Sequence, residues 1–164
     1  MIEKTRKRWQ RSRIVIRSMV QKRTTTKTST ISRATPVSPS LLERYCRDLE
    51  GWPRSWMGWE KDLPPGEKLV ACFRPFLEHL VASDLSPKTI LKHVDNLWSL
   101  GGEIIRDLNE NPSSRRKSIE QILDDRIDEE GGPLVYALES EESLHRSFDS
   151  TSRKLHHFLS RSKR

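Results

Sequence analysis

Residues 86–108 read SPKTILKHVDNLWSLGGEIIRDL and predict one long amphipathic helix. Ser86 followed by Pro87 is typical of a helix start, because the hydroxyl caps the first turn and proline suits the first helical position. Gly101 falls where the apolar stripe of this helix would place a large side chain. We expect the helix to continue through Gly101 and Gly102 and to let a neighbouring helix approach closely, although each glycine costs about 1 kcal/mol. Two helices joined by a turn at the glycines are the alternative. The stripe itself recurs at spacings of three and four, namely Ile90, Val94, Leu97, Trp98, Ile104, Ile105 and Leu108.

Similar spacing predicts further helices on both sides of this segment. Residues 69–81 carry an apolar stripe in which Pro75 predicts a kink, or a fresh helix beginning near Arg74, because proline inside a regular helix costs about 3 kcal/mol. An irregular connection is expected between Trp52 and Gly66. The sequence therefore predicts an all-α protein whose four to five helices form one orthogonal or bundle-like domain. The remaining predicted elements are helices over 38–51, 119–127 and 144–159, and an isolated strand-like run over 134–138.

The N-terminal segment differs sharply in composition from the rest of the chain. Residues 1–40 contain eleven Lys or Arg and one acidic residue, Glu3, which gives a net charge of +10. Few large apolar residues accompany the Thr and Ser that follow Lys22, so this stretch cannot bury enough surface to offset its ordering entropy. We predict a disordered basic arm over 1–37 and a helical domain over 38–164 with a basic C-terminal end. The arm is open to three interpretations: a solvated tail or a start assigned upstream of Met19, a phosphate-binding arm, and an organelle transit segment.

The helical body between the two basic ends is acidic. Residues 41–144 carry 13 basic and 21 acidic side chains, a net charge of −8, whereas residues 145–164 carry six basic side chains and Asp149, a net charge of +5. The whole chain has a net charge of +7. Binding of this body to DNA would therefore require its basic residues to be segregated to one face.

Several functional classes are disfavoured by the sequence. No run of 18 apolar residues occurs, and Cys46 and Cys72 form neither a disulfide framework nor a zinc motif, which fits a cytoplasmic protein. The DDxxD pattern at 124–128 is interpreted as a solvated acidic face, and no glycine-rich phosphate loop is present. We therefore expect no metal, no cofactor and no enzymatic activity. Four tryptophans are expected to pack in the core, with stacking on bases as the alternative: Trp52, Trp56, Trp59 and Trp98.

The segment from Phe76 to Leu100 resembles the SAM-like core-binding domain of tyrosine recombinases and phage integrases. The resemblance lies in a first helix with a Phe-Leu…Leu face, followed by Leu85-Ser-Pro-Lys-Thr-Ile90 leading into a second helix. In that family the second helix lies on DNA, which implies that Ser86, Lys88, Thr89 and Lys92 face DNA here. The family's catalytic domain has no counterpart in this chain, because no His-x-x-Arg box followed by a nucleophilic tyrosine occurs after residue 110.

These observations predict a non-enzymatic DNA-binding accessory protein, of the mobile-element type, that binds phosphates mainly through its arm. Duplex DNA is the expected partner, a protein partner is possible, and no membrane is involved. The alternative is a protein–protein adaptor or regulator that uses the acidic helical body. The predicted nucleic-acid-binding residues are Arg6, Lys7, Arg8, Arg11, Arg13, Arg17, Lys22, Arg23, Ser86, Lys88, Thr89 and Lys92.

Overall fold

The computed structural model describes residues 40–133, 135 and 142–162, which belong to one compact unit, Pro39–Arg164. These residues are 78% helical, with five α-helices and no strand, which confirms the predicted all-α class. The predicted arm over 1–37 and most of the strand-like run over 134–138 lie outside the described residues. The α-helices are α1 (Trp52–Trp56), α2 (Leu63–Val81), α3 (Pro87–Glu110), α4 (Ile119–Arg126) and α5 (Glu142–Ser162). Short 3-10 turns span Leu42–Arg44, Leu49–Gly51, Glu60–Asp62 and Pro112–Arg116.

Helix α3 is continuous through Gly101 and Gly102, as predicted. The close neighbour at Gly101 is the indole ring of Trp56 in α1. A Cβ atom at Gly101 would lie 2.8 Å from Cε2 of that ring and closer still to two further ring carbons. Trp56 is only 1% exposed, and its Nε1 donates a hydrogen bond to the carbonyl of Trp98 at 2.9 Å. Because Gly101 has no side chain, the Trp56 ring packs directly against α3. This packing and the Nε1 hydrogen bond attach α1 to the middle of α3.

Helix α2 runs unbroken from Leu63 to Val81, so the prediction of a fresh helix near Arg74 is wrong. Pro75 is exposed, whereas the predicted stripe on the opposite side of the helix is buried. Burial of that stripe on both sides of Pro75 outweighs the one backbone hydrogen bond that the proline removes. The buried stripe consists of Leu69, Phe73, Phe76, Leu77, Leu80 and Val81.

The prediction of a helix over 38–51 is also wrong, since the described part of this segment forms only two 3-10 turns. The irregular connection expected after it begins instead with α1, in which Trp52 and Trp56 are buried with ring centroids 5.6 Å apart. Burial of these two large side chains overrides the local helical pattern that precedes them. The segment 40–56 is therefore shaped by tertiary packing rather than by its own periodicity.

The last two helices complete the core. Ser118 and Gln121 form a reciprocal capping box at the start of α4, which buries Ile119, Ile122 and Leu123. Helix α5 buries Phe148 and Leu155, and its Phe158 ring lies 5.5 Å from that of Phe76 in α2. Leu144, near the start of this helix, is 37% exposed.

Candidate nucleic-acid interface

Four of the predicted DNA-facing residues lie at the start of α3. Ser86 is the N-cap residue, and its Oγ accepts a hydrogen bond from the Thr89 backbone N–H at 3.2 Å and shares a hydrogen bond with Thr89 Oγ1 at 2.8 Å. These two side chains are therefore engaged in capping the helix. Lys88 and Lys92, by contrast, are exposed and four residues apart, so they lie one turn apart on the same side of α3. The other predicted residues lie outside the described residues: Arg6, Lys7, Arg8, Arg11, Arg13, Arg17, Lys22 and Arg23.

The row that contains Lys88 and Lys92 continues to Asn96, and Asn96 contacts α5. Its Nδ2 donates to the Ser147 carbonyl at 2.9 Å and to Thr151 Oγ1 at 2.8 Å. His93 contacts Thr151, whereas Asn96, further along α3, contacts Ser147, which lies earlier in α5. The two helices therefore run antiparallel. The C-terminal half of α5 therefore lies beside the start of α3.

A buried histidine connects this row to a further basic residue. His93 is 4% exposed, and its Nδ1 lies 2.8 Å from Thr151 Oγ1. Because the Thr151 hydroxyl donates to the Ser147 carbonyl at 3.1 Å, it accepts from His93, which places the imidazole proton on Nδ1. The Nε2 lone pair then accepts a hydrogen bond from Lys154 Nζ at 3.3 Å. Burial and the adjacent Lys154 ammonium lower the pKa of His93 to about 4, so the imidazole is neutral at physiological pH.

Lys154 is a basic residue of this surface that sequence reasoning missed. The available signal was the absence of acidic residues after Asp149, where residues 150–164 contain only basic charges. Its proximity to α3 could not be read from the sequence, because it depends on the packing of α5. Within the described part of the chain, no ion pair engages Lys88, Lys92, Lys154 or Arg161.

Several other basic side chains of the body form ion pairs with carboxylates. Arg115 pairs with the fully buried Asp62 at 2.5 Å. Burial raises the pKa of Asp62, but hydrogen bonds from Arg115, Asn109 and the Trp59 and Gly58 amides outweigh this effect and hold the pKa below its usual value. Lys88, Lys92, Lys154 and Arg161 have no ion pair in the described residues, and the same holds for exposed cations elsewhere on the body, among them Arg54, Lys61, Lys68 and Arg116. The other pairs include Arg126–Asp107, Lys117–Asp125 and Arg74–Glu50.

The cysteines, the tryptophans and the potential metal ligands are the remaining candidates from the sequence. Burial raises the pKa of Cys46 to about 12 and that of Cys72 to about 11, so both remain thiols at neutral pH. No group of three or more His, Cys, Asp or Glu residues that could hold a metal ion occurs among the described residues. Trp59 is 60% exposed, which corrects its predicted burial, while Trp98 is partly buried and donates from Nε1 to Ser55 Oγ at 2.9 Å.

Comparison with known proteins gives no family assignment. No protein-family model, curated protein or solved structure matches the chain. A search of the described helices for one long and apolar enough to cross a membrane found none.

Proposed function

We propose that this chain is a non-enzymatic DNA-binding accessory protein, of the mobile-element type, acting in the cytoplasm. The observation that carries this proposal is the separation of charge. Residues 1–40 contain eleven Lys or Arg residues and a single acidic residue. In the described body, Lys88 and Lys92 are exposed and form no ion pair. Clusters of Lys and Arg bind the DNA backbone by neutralising phosphates and releasing the counterions condensed on them. Duplex DNA is therefore the favoured partner.

The helix pair α2–α3 supports the same function. It occupies the segment that resembles the core-binding domain of tyrosine recombinases, in which the helix following the Leu-Ser-Pro-x-Thr-Ile sequence lies on DNA. In this chain that helix begins at Pro87 and exposes Lys88 and Lys92 in its first two turns. Ser86 and Thr89 would support this contact indirectly, by fixing the start of the helix.

The test is a titration of labelled duplex DNA with the full chain over a series of salt concentrations. The matching variant replaces the eight predicted arm residues, Arg6, Lys7, Arg8, Arg11, Arg13, Arg17, Lys22 and Arg23, with glutamine. Each neutralised phosphate contributes roughly −0.9 to the slope of log K against log salt, so the variant should lose several units of slope. If the full chain shows no salt-sensitive binding even at low salt, the DNA-binding function is refuted and the adaptor alternative is favoured.

A further inference from the structure

We infer that the C-terminal half of α5 and the start of α3 form one phosphate-binding face, which we name the α3–α5 face and define as Lys88, Lys92, Lys154 and Arg161. The inference rests on the proposed DNA-binding function and extends it. It adds two residues of α5 to the contact, so that the folded body contributes its own DNA-binding face.

The first argument is the position of the α3 lysines relative to α5. At about 100° per residue, Asn96 is displaced from Lys92 to one side of α3 and Asp95 to the other. Asn96 is hydrogen-bonded to Ser147 and Thr151, so the lysine row borders α5 on this side. Asp95, the first acidic residue of α3, follows Lys88 by seven residues and Lys92 by three, so it borders the lysine row on the flank away from α5. The row of cations is therefore continuous with the α5 surface.

The second argument is the position of the α5 cations. Lys154 Nζ is held 3.3 Å from Nε2 of His93, the residue that follows Lys92 in α3. Arg161 is seven residues after Lys154, which places it on the same side of α5 about 10.5 Å further along the axis. Because the helices are antiparallel, this displacement is towards the start of α3, where Lys88 lies. Cations from both helices therefore meet on one edge of the domain.

The third argument is that these cations are available to a ligand. Lys88, Lys92, Lys154 and Arg161 are all exposed, and in the described residues none of them is engaged in an ion pair. The hydroxyl and first-turn amide at the helix start are already used by Ser86 and Thr89, so the anion contacts would come from the four cationic side chains. A regularly charged polyanion fits such a set better than a single small anion, because the cations extend along two helices.

The occupant to which we commit is the phosphate backbone of duplex DNA. The experiment compares the full chain with the fourfold variant Lys88→Ala, Lys92→Ala, Lys154→Ala and Arg161→Ala. The matched control removes the same charge from exposed residues elsewhere in the body: Arg54→Ala, Lys61→Ala, Lys68→Ala and Arg116→Ala. Salt-dependent binding of a labelled duplex is measured for all three proteins.

We expect the fourfold variant to reduce the magnitude of the log K against log salt slope by about 3 to 4 and to weaken binding at least about tenfold near 0.1 M salt. The control variant should stay within about one unit of the full chain's slope. A triple variant that retains Lys154, and with it the His93 contact, should lose about 2 to 3 units of slope, and circular dichroism of each variant confirms that it is folded.

Different outcomes separate the two proposals. Equal losses in the fourfold variant and its control would overturn the α3–α5 face, because only total charge would then matter, while leaving DNA binding intact. An unchanged slope in the fourfold variant would overturn it as well. Loss of binding to vesicles of phosphatidylcholine and phosphatidylserine, without loss of duplex binding, would instead assign the face to a lipid surface. If the unmodified chain shows no salt-sensitive duplex binding, the proposed function itself is refuted.

Discussion

Replacement of Gly101 with alanine should destabilise the protein, although alanine is the better helix former. In an open helix interior the change would stabilise by about 1 kcal/mol. Here the new Cβ atom would lie under 3 Å from three carbon atoms of the Trp56 indole. That ring is 1% exposed and hydrogen-bonded through Nε1 to the Trp98 carbonyl, so it cannot move aside without losing packing and a hydrogen bond.

Overpacking of a well-packed core typically costs about 1–3 kcal/mol, and the rigid ring places this site in the upper part of that range. After the helix-propensity gain is subtracted, the expected loss is about 1–2 kcal/mol in the free energy of unfolding. Urea denaturation followed by far-UV circular dichroism measures this value directly. Gly101→Leu adds more atoms under the same ring and should be more destabilising than Gly101→Ala.

A double-mutant cycle with Trp56→Phe isolates the cause. Phenylalanine lacks the fused six-membered ring whose carbons lie nearest to Gly101, so in that background Gly101→Ala should become neutral or stabilising. The reversal of sign identifies the indole as the source of the cost. If Gly101→Ala stabilises the unmodified protein by about 1 kcal/mol, Trp56 does not lie against Gly101 and the reasoning fails.

Three further predictions concern stability. Pro75→Ala should raise the free energy of unfolding, measured by urea denaturation, by up to about 3 kcal/mol. Pro75 lies in the middle of α2 with its ring exposed, and alanine restores the backbone N–H donor. A destabilised variant would contradict this. The pKa of His93 in the folded state is lowered from 6.5 to about 4, so on acidification the unfolded state binds a proton before the folded state does. The free energy of unfolding should therefore fall by up to about 3 kcal/mol as the pH drops from above 6.5 to 4. His93→Gln should lack this component of the pH dependence, and an unchanged profile would argue against a buried neutral histidine. Burial, opposed by Arg106, raises the pKa of Glu103 to about 7, so its ionisation destabilises the folded state as pH rises from 4.5 through 7. Glu103→Gln should therefore be more stable than the unmodified protein at pH 8 and show little difference at pH 4; equal stability at both pH values would refute the shift.

The α2–α3 helix pair was predictable from the sequence because its signals are local and agree with one another. Ser86 and Pro87 mark the start of α3, and apolar residues recur at helical spacing through both helices. At Pro75 the fresh helix that this reasoning offered is wrong, because the local cost of the proline is outweighed by burial of the stripe on the other side of the helix. The same reasoning also failed before Trp52, where the packing of two tryptophans decides the chain path. Local patterns thus predicted the long helices and missed the short elements that are shaped by tertiary contacts.

The residues of the candidate site also divide into those indicated by local sequence signals and those placed by tertiary contacts. Lys88 and Lys92 follow from their place in the predicted helix start, whereas Lys154 enters only because Asn96 and His93 hold α5 against α3. Those two contacts join positions 51 and 61 residues apart, and no periodicity in the chain relates them. Sequence reasoning could therefore identify the basic C-terminal end of the chain but not its position beside the start of α3.

The negative net charge of the body does not oppose DNA binding, because a phosphate responds to nearby charges. Electrostatic interactions between exposed groups are largely screened beyond about 10 Å at 0.1 M salt. Asp62 is buried and paired with Arg115, and Asp107 is paired with Arg126, so much of the field of these carboxylates is cancelled within the body. The cations of the α3–α5 face are exposed and have no such partner in the described residues. A phosphate at this face would therefore meet four exposed cations from two neighbouring helices, although the formal charge of the domain is negative.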